Sequence, residues 1–203
     1  MVEPTLADFL ALVHGRPGHF LLESGYHGGL WLDLDGLFGR PQKVAPFVAR
    51  LSDQLGRHAV DLVCGPLLGG ALLAQSVATA LGTEFCFTQP GPPADGVGLY
   101  QARYRLPAAF RSRVRGRRVA IVDDVMSAGS SLRATCAEIR SSGALPVAVG
   151  ALLVLGEVGT RYFVDEQRLP VEAVIRDALE LWPPSECPLC KQGAPLEDLT
   201  APA

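Results

Sequence analysis

Apolar and polar residues divide this chain into short buried strands and amphipathic helices. Val119, Ala120, Ile121 and Val122 form an apolar run too brief for a helix, as expected of a strand covered on both faces of a parallel sheet. Asp61 to Cys64, Glu84 to Thr88 and Pro146 to Leu155 read as further strands, and Val171 to Ile175 as a last one. Val44, Phe47, Val48, Leu51 and Leu55 recur at helical spacing from Lys43 to Gly56, with Pro46 expected in the first turn. Ala71 to Leu81 and Ser131 to Ser142 are helices, the latter ended by Gly143. This order predicts an α/β fold with a mostly parallel central sheet flanked by helices. Ahead of it, Thr5 to His14 reads as a short amphipathic helix, and Gly18 to Asp35 as paired strands broken at Ser24-Gly25 and Gly28-Gly29. Trp182 onward reads as an irregular tail, and neither repeats nor a linker divide residues 1–203, so a single domain is expected.

Length and charge narrow the picture. The 203 residues suffice for a core without disulfides, and a net charge of -3 gives no bias toward nucleic acid. The charge is uneven, however. Between Gly96 and Val122 no acid occurs, while Arg103, Arg105, Arg111, Arg113, Arg115, Arg117 and Arg118 crowd together, either as a solvated edge or as a surface for a polyanion. Few aromatics interleave them, so nucleic acid is not an expected partner. The amino terminus lacks a basic start, and the longest apolar run, Pro146 to Gly156, is too short to cross a bilayer. A cytoplasmic protein with no membrane partner is expected. Cys64, Cys86 and Cys136 lie in predicted elements as small apolar residues. Cys187 and Cys190 form CPLC, half of a zinc-knuckle spacing, with no second Cys or His pair evident to complete four ligands.

The chemistry concentrates between Arg117 and Leu132. Asp123 and Asp124 follow the apolar run, where open α/β sheets place ligands. Ser127, Ala128, Gly129, Ser130 and Ser131 are small and mostly hydroxylic, so backbone N–H groups and hydroxyls can converge on an anion at the start of the next helix. Gly65 to Gly70 form a second tight strand-to-helix turn that permits close backbone approach to a ligand.

The strand, acid pair and Ser-Ala-Gly-Ser-Ser turn resemble the ribose-phosphate loop of type I phosphoribosyltransferases, and the whole chain resembles the orotate phosphoribosyltransferases among them. The resemblance implies Mg²⁺-dependent transfer of phosphoribose from phosphoribosyl pyrophosphate (PRPP) to a nitrogenous base, nominally orotate in pyrimidine biosynthesis. It assigns Asp123 and Asp124 to the ribose hydroxyls, Ser127 to Ser131 to the 5′-phosphate, and Pro66, Leu67, Leu68, Gly69 and Gly70 to pyrophosphate. It also implies a small amino-terminal hood, formed by about residues 1–40 with the carboxyl-terminal tail, and a homodimer. Mg²⁺ would arrive on PRPP, with no direct protein ligand. Tyr26, His27 and Trp31 are candidates for the base site. The segment Gln89 to Gly96 occupies the place of the family's mobile catalytic loop.

Three positions depart from the family pattern. Glu23 stands where Lys or Arg usually precedes Ser-Gly, the loop has no lysine, and Leu153 to Glu157 lacks the arginine that relatives aim at the orotate carboxylate. Arg103 and Arg105 could supply the missing catalytic charge. Two alternatives therefore stand beside orotate: a different base, or a catalytically impaired regulatory protein that retains the PRPP site.

Overall fold

The structure is a computed structural model, and it describes residues 3–92 and 99–198. In chain order the elements are α1 (Leu6–Leu10), β1 (His14–Leu21), β2 (His27–Asp33), α2 (Pro41–Leu55), β3 (Leu62–Pro66), α3 (Gly69–Leu81), β4 (Glu84–Pro90), β5 (Tyr104–Arg105), α4 (Ala108–Val114), β6 (Arg118–Met126), α5 (Ser130–Ser141), β7 (Leu145–Leu155), α6 (Val158–Arg161), β8 (Val171–Asp177), β9 (Leu181–Trp182), α7 (Pro188–Lys191) and β10 (Glu197–Asp198).

The expected central sheet is present. Its six strands run in the order β5-β4-β3-β6-β7-β8, all parallel except the short edge strand β5. The apolar run in β6 is continuous because its two faces meet two different cores. Ala120 and Val122 pack with Val44, Phe47 and Leu51 of α2 and with Leu73 and Val77 of α3. Val119 and Ile121 pack with Val114 of α4 and with Leu132, Cys136 and Ile139 of α5. Strand alternation thus distributes one uninterrupted apolar segment between two layers of helices.

The chain leaves β3 toward β4 on one side and β6 toward β7 on the other. The direction of winding therefore reverses between β3 and β6, where a crevice opens beyond the strands' carboxyl ends.

Several boundaries differ from the expectations. Strand β6 runs through both acids to Met126, so Asp123 and Asp124 are strand residues. Helix α1 is short, opened by a capping box between Thr5 and Asp8, and β1 begins at His14. Pro41, with its preset φ, opens α2, which leaves Pro46 inside the helix and not in its first turn. Gly28 and Gly29 do not break β2: Gly28 pairs with Phe20 on one side and Leu181 on the other.

The tail is not irregular. It supplies both edge strands of a second sheet, ordered β10-β1-β2-β9, with α7 between them. Each added strand has two residues, too few to read in sequence and too few to persist without tertiary support.

The turn after β3 is closed by backbone contact. A Cβ on Gly65 would lie 1.9 Å from the Gly70 carbonyl oxygen. Gly65→Ala is therefore expected to destabilise the fold by about 1–3 kcal/mol through forced backbone displacement, measured as a lower denaturant midpoint with an unchanged m-value.

Candidate functional site

The crevice between β3 and β6 brings the two predicted turns together around the acid pair. Asp123 and Asp124 are each 8% exposed. Asp123 accepts a hydrogen bond from Ser131 Oγ at 2.6 Å, and Asp124 accepts one from the Val125 N–H at 2.8 Å. Burial pushes both carboxyls above the usual range. The neighbouring Asp124 charge adds to the shift at Asp123, while hydrogen bonds oppose it at each. Two such groups in one crevice titrate as a pair.

The start of α3 lies directly against these acids. A Cβ on Gly69 would sit 1.9 Å from Asp124 Oδ2, and one on Gly70 would sit 2.7 Å from Asp123 Oδ1. A side chain is excluded at Gly69 by Asp124, and at Gly70 by Asp123 together with Pro66 Cδ and the Val122 carbonyl. The preceding residues Pro66, Leu67 and Leu68 complete this turn: the Leu67 N–H donates to the Thr88 carbonyl at 2.8 Å, and Leu68 is exposed.

On the other side, Gly129 adopts φ +73°, a left-handed conformation that suits glycine, and sets Ser130 at the start of α5. No side chain caps this helix among the described residues. The Ser130 hydroxyl is buried without a hydrogen-bond partner, beside first-turn amides that the helix cannot satisfy internally. Ala128 is fully buried, which anchors the turn. An anion held here would receive N–H and O–H donors together.

Arg133 was not legible as part of this arrangement. Its guanidinium lies 4.0 Å from the ring centroid of Tyr100 and 3.7 Å from that of Tyr162. It donates to the Ala128 carbonyl at 3.0 Å and to the Val158 carbonyl at 3.3 Å, holding the turn from behind. Its partners at 100, 158 and 162 are distant in sequence, so no local signal marks it.

A cavity of about 250 Å³ joins the turn before α5 to the second sheet, with Trp31, Glu23 and Leu181 facing Ser127, Gly129, Ser130 and Ser131 across it. Its described lining contains no Lys, Arg or His. Glu23 is exposed overall, yet crowding around its carboxyl raises its pKa, opposed by the Tyr104 hydroxyl, which donates to it at 3.3 Å. A larger cavity of about 900 Å³ lies between α1, α2 and the end of β2, outside the two turns.

Period-2 alternation separates the residues around β5. Tyr104 reaches Glu23 with its hydroxyl, whereas the flanking Arg103 and Arg105 are exposed; all three border a groove with Arg111 and the outer face of α5. The chain therefore does not bring these arginines to its own acid pair. Of the predicted loop, Gln89 and Pro90 belong to β4, and residues 93–96 lie outside the described residues.

The predicted base residues separate as well. Trp31 lines the cavity, and Tyr26 packs on Tyr100 with centroids 5.8 Å apart. His27 is buried against His19 and Cys190, with its Nδ1 3.1 Å from His19 Nε2 and 3.3 Å from Cys190 Sγ. The expectation that CPLC lacks a second ligand pair is thereby overturned: the hood hairpin brings His19 and His27 to Cys187 and Cys190.

Comparison with known proteins agrees with the switch-point geometry. Residues 40–169 match the family described as "Phosphoribosyl transferase domain". Orotate phosphoribosyltransferase of Thermoanaerobacter sp. (strain X514) is 30% identical over 96% of this chain and 94% of its own length. Among solved structures, orotate phosphoribosyltransferase from Aeropyrum pernix superposes with a TM-score of 0.62 at 23% identity, covering 85% of this chain and 93% of its own. Adenine phosphoribosyltransferase from Thermoanaerobacter pseudethanolicus reaches a TM-score of 0.66 at 19% identity, covering 85% of this chain and 100% of its own. The two solved structures share the fold but are named for different bases. The sequence match spans β3 to β7 and hence both turns and the acids between them, so the chain belongs to the phosphoribosyltransferase family.

Proposed function

We propose that the protein transfers phosphoribose from PRPP to a ring nitrogen of orotate, forming orotidine 5′-monophosphate and pyrophosphate in pyrimidine biosynthesis. The observation that carries this reading is the convergence of two uncapped helix starts on one buried acid pair at the switch point of the sheet. Similarity to orotate phosphoribosyltransferases along nearly the whole chain favours orotate as the acceptor.

In the reaction the base nitrogen bonds to ribose C1 as the C1–O bond to pyrophosphate breaks. The electron pair leaves on the pyrophosphate oxygen, and the proton of the base nitrogen passes to the departing pyrophosphate or to solvent. Positive charge develops on the ribose ring, as in other reactions with an oxocarbenium-like transition state. Asp123 and Asp124 accept hydrogen bonds from the ribose 2′- and 3′-hydroxyls and lie close to that charge. Donors from Ser127 to Ser131 hold the 5′-phosphate, the unpartnered Ser130 hydroxyl among them. Backbone groups from Pro66 to Gly70 hold the pyrophosphate. This carboxylate and hydroxyl set suits PRPP carrying Mg²⁺, a hard cation that keeps most of its water and, when bound, neutralises pyrophosphate charge. Trp31 faces the base side.

A second reading, an uncharged base, is favoured by the cavity lining: Glu23 faces it, and none of its described residues is cationic. Burying an orotate carboxylate there unpaired would be costly. Pyrophosphate release from PRPP and Mg²⁺ with a panel of bases distinguishes the readings. Turnover with orotate is expected; turnover with other bases alone supports the second reading, and PRPP binding without any turnover supports a regulatory protein.

Arg103 and Arg105 face outward from their own chain, a placement that suits service to a neighbouring copy's site in a cytoplasmic homodimer. An Asp124→Asn subunit and an Arg103→Ala/Arg105→Ala subunit, each impaired alone, are then expected to regain activity when mixed and re-associated. Additive residual rates would assign the arginines no role across subunits.

Asp124→Asn removes a charge-assisted acceptor and should lower kcat/KM for PRPP by about 1.5–3 kcal/mol, roughly 10- to 150-fold. The same geometry predicts an opposite effect on the free protein. Because burial raises the pair's pKa, the folded state retains protons that the unfolded chain loses near pH 3.8, so stability falls as pH rises through the raised range. Asp123→Asn and Asp124→Asn are therefore expected to raise the Tm of the ligand-free protein at neutral pH while weakening PRPP binding, as read by thermal melts and titration calorimetry.

A further inference from the structure

The four ligand atoms brought together by the hood and the tail lie within 4.8 Å of one another. His19 Nε2 is 3.1 Å from His27 Nδ1, 3.4 Å from Cys187 Sγ and 3.7 Å from Cys190 Sγ; Cys190 Sγ is 3.3 Å from His27 Nδ1. A tetrahedral zinc ion with ordinary Zn–S and Zn–N bonds would set nitrogen–nitrogen edges of about 3.4 Å and sulfur–nitrogen edges of about 3.6 Å. The three sulfur–nitrogen spacings, from 3.3 to 3.7 Å, bracket that edge, and the nitrogen–nitrogen spacing of 3.1 Å falls slightly inside its own.

We propose that His19, His27, Cys187 and Cys190 form a closed zinc site that fastens the carboxyl-terminal segment to the hood. The surroundings match the donors. His19 Nδ1 donates to the Ala194 carbonyl at 2.9 Å, which holds the imidazole in the tautomer whose Nε2 lone pair faces the cluster. His19 and His27 are each 5% exposed and Cys187 is fully buried, whereas Cys190 is exposed, so the ion would be covered on three sides and reached by solvent past Cys190. With four protein ligands and no open position, the site is structural and not catalytic. Two thiolates and two imidazoles favour zinc over magnesium or calcium, which take oxygen ligands. On binding, the two thiols lose their protons to solvent and form Zn–S bonds, with no change in oxidation state.

The hood hairpin explains why two distant pairs meet. Leu21 stands opposite His27 across β1 and β2, and the register shift between Pro17 and Phe20 brings His19 to the same face, its ring centroid 5.0 Å from that of His27. The CPLC turn then closes over that face at the start of α7. Strands β9 and β10, two residues each, flank this clamp at opposite edges of the hood sheet. A cross-link here compensates for the little apolar surface such short strands bury. It also connects to the cavity, because Leu181 of β9 lines it while the adjacent Trp182 pairs with His27.

Metal content tests the site independently of the reaction. The full chain, loaded with Zn²⁺ and passed through a desalting column, is expected to retain about one zinc per chain by mass spectrometry. The Co²⁺-substituted protein should show tetrahedral d–d bands and a thiolate charge-transfer band, which needs no variant to fold. Cys190→Ser and His27→Ala should each lose stoichiometric retention, and chelation of the wild type should lower its Tm, with recovery on adding Zn²⁺. Retention far below one zinc, a Co²⁺ spectrum without thiolate charge transfer, or full retention by both variants would overturn the proposal. None of these readouts depends on phosphoribosyl transfer, so the two readings fail separately.

Discussion

The approach of the α3 start to the β6 carboxylates constrains the rest of the structure. Gly69 and Gly70 press so closely on Asp124 and Asp123 that neither position admits a side chain. This contact sets two neighbouring parallel strands in register with their turns facing one crevice. It also buries two carboxylates side by side, at a cost in stability that an apolar pair would avoid.

The donor and acceptor sides of the crevice are built differently. Backbone amides, hydroxyls and carboxylates from the central sheet form the donor side, on elements held by two apolar cores. The acceptor side comes from the hood, a four-stranded sheet whose two edges are two-residue strands of the tail. Glu23 and Tyr104 meet there through a hydrogen bond and leave the cavity acidic at one rim. A rigid donor site facing a lightly built acceptor wall fits a family in which one phosphoribosyl chemistry serves several bases. The proposed zinc clamp would stiffen that wall from outside the cavity.

Sequence and structure agree best where an element is long and its environment uniform. The β6 run was legible because four consecutive apolar residues leave a strand few alternatives. The acid pair and the small-residue turn were legible because their order on the chain is also their order in space. Arg133 was hidden because its meaning lies in Tyr100 and Tyr162, which reach it from separate segments. Arg103 and Arg105 belong to one basic run in sequence, yet the pleat of β5 sends them away from the acids and turns Tyr104 toward them.

The sequence by itself therefore determined the sheet, the acid pair and the two tight turns beside it, since each is a local pattern carried by neighbouring residues. Tertiary structure alone decided what meets across the hood. Two histidines and two cysteines separated by about 160 residues became one cluster. The tail became two strand edges, and Glu23 met Tyr104. Contacts between residues far apart along the chain leave no periodicity to read, because they are set by how the cores close and not by the spacing of neighbours.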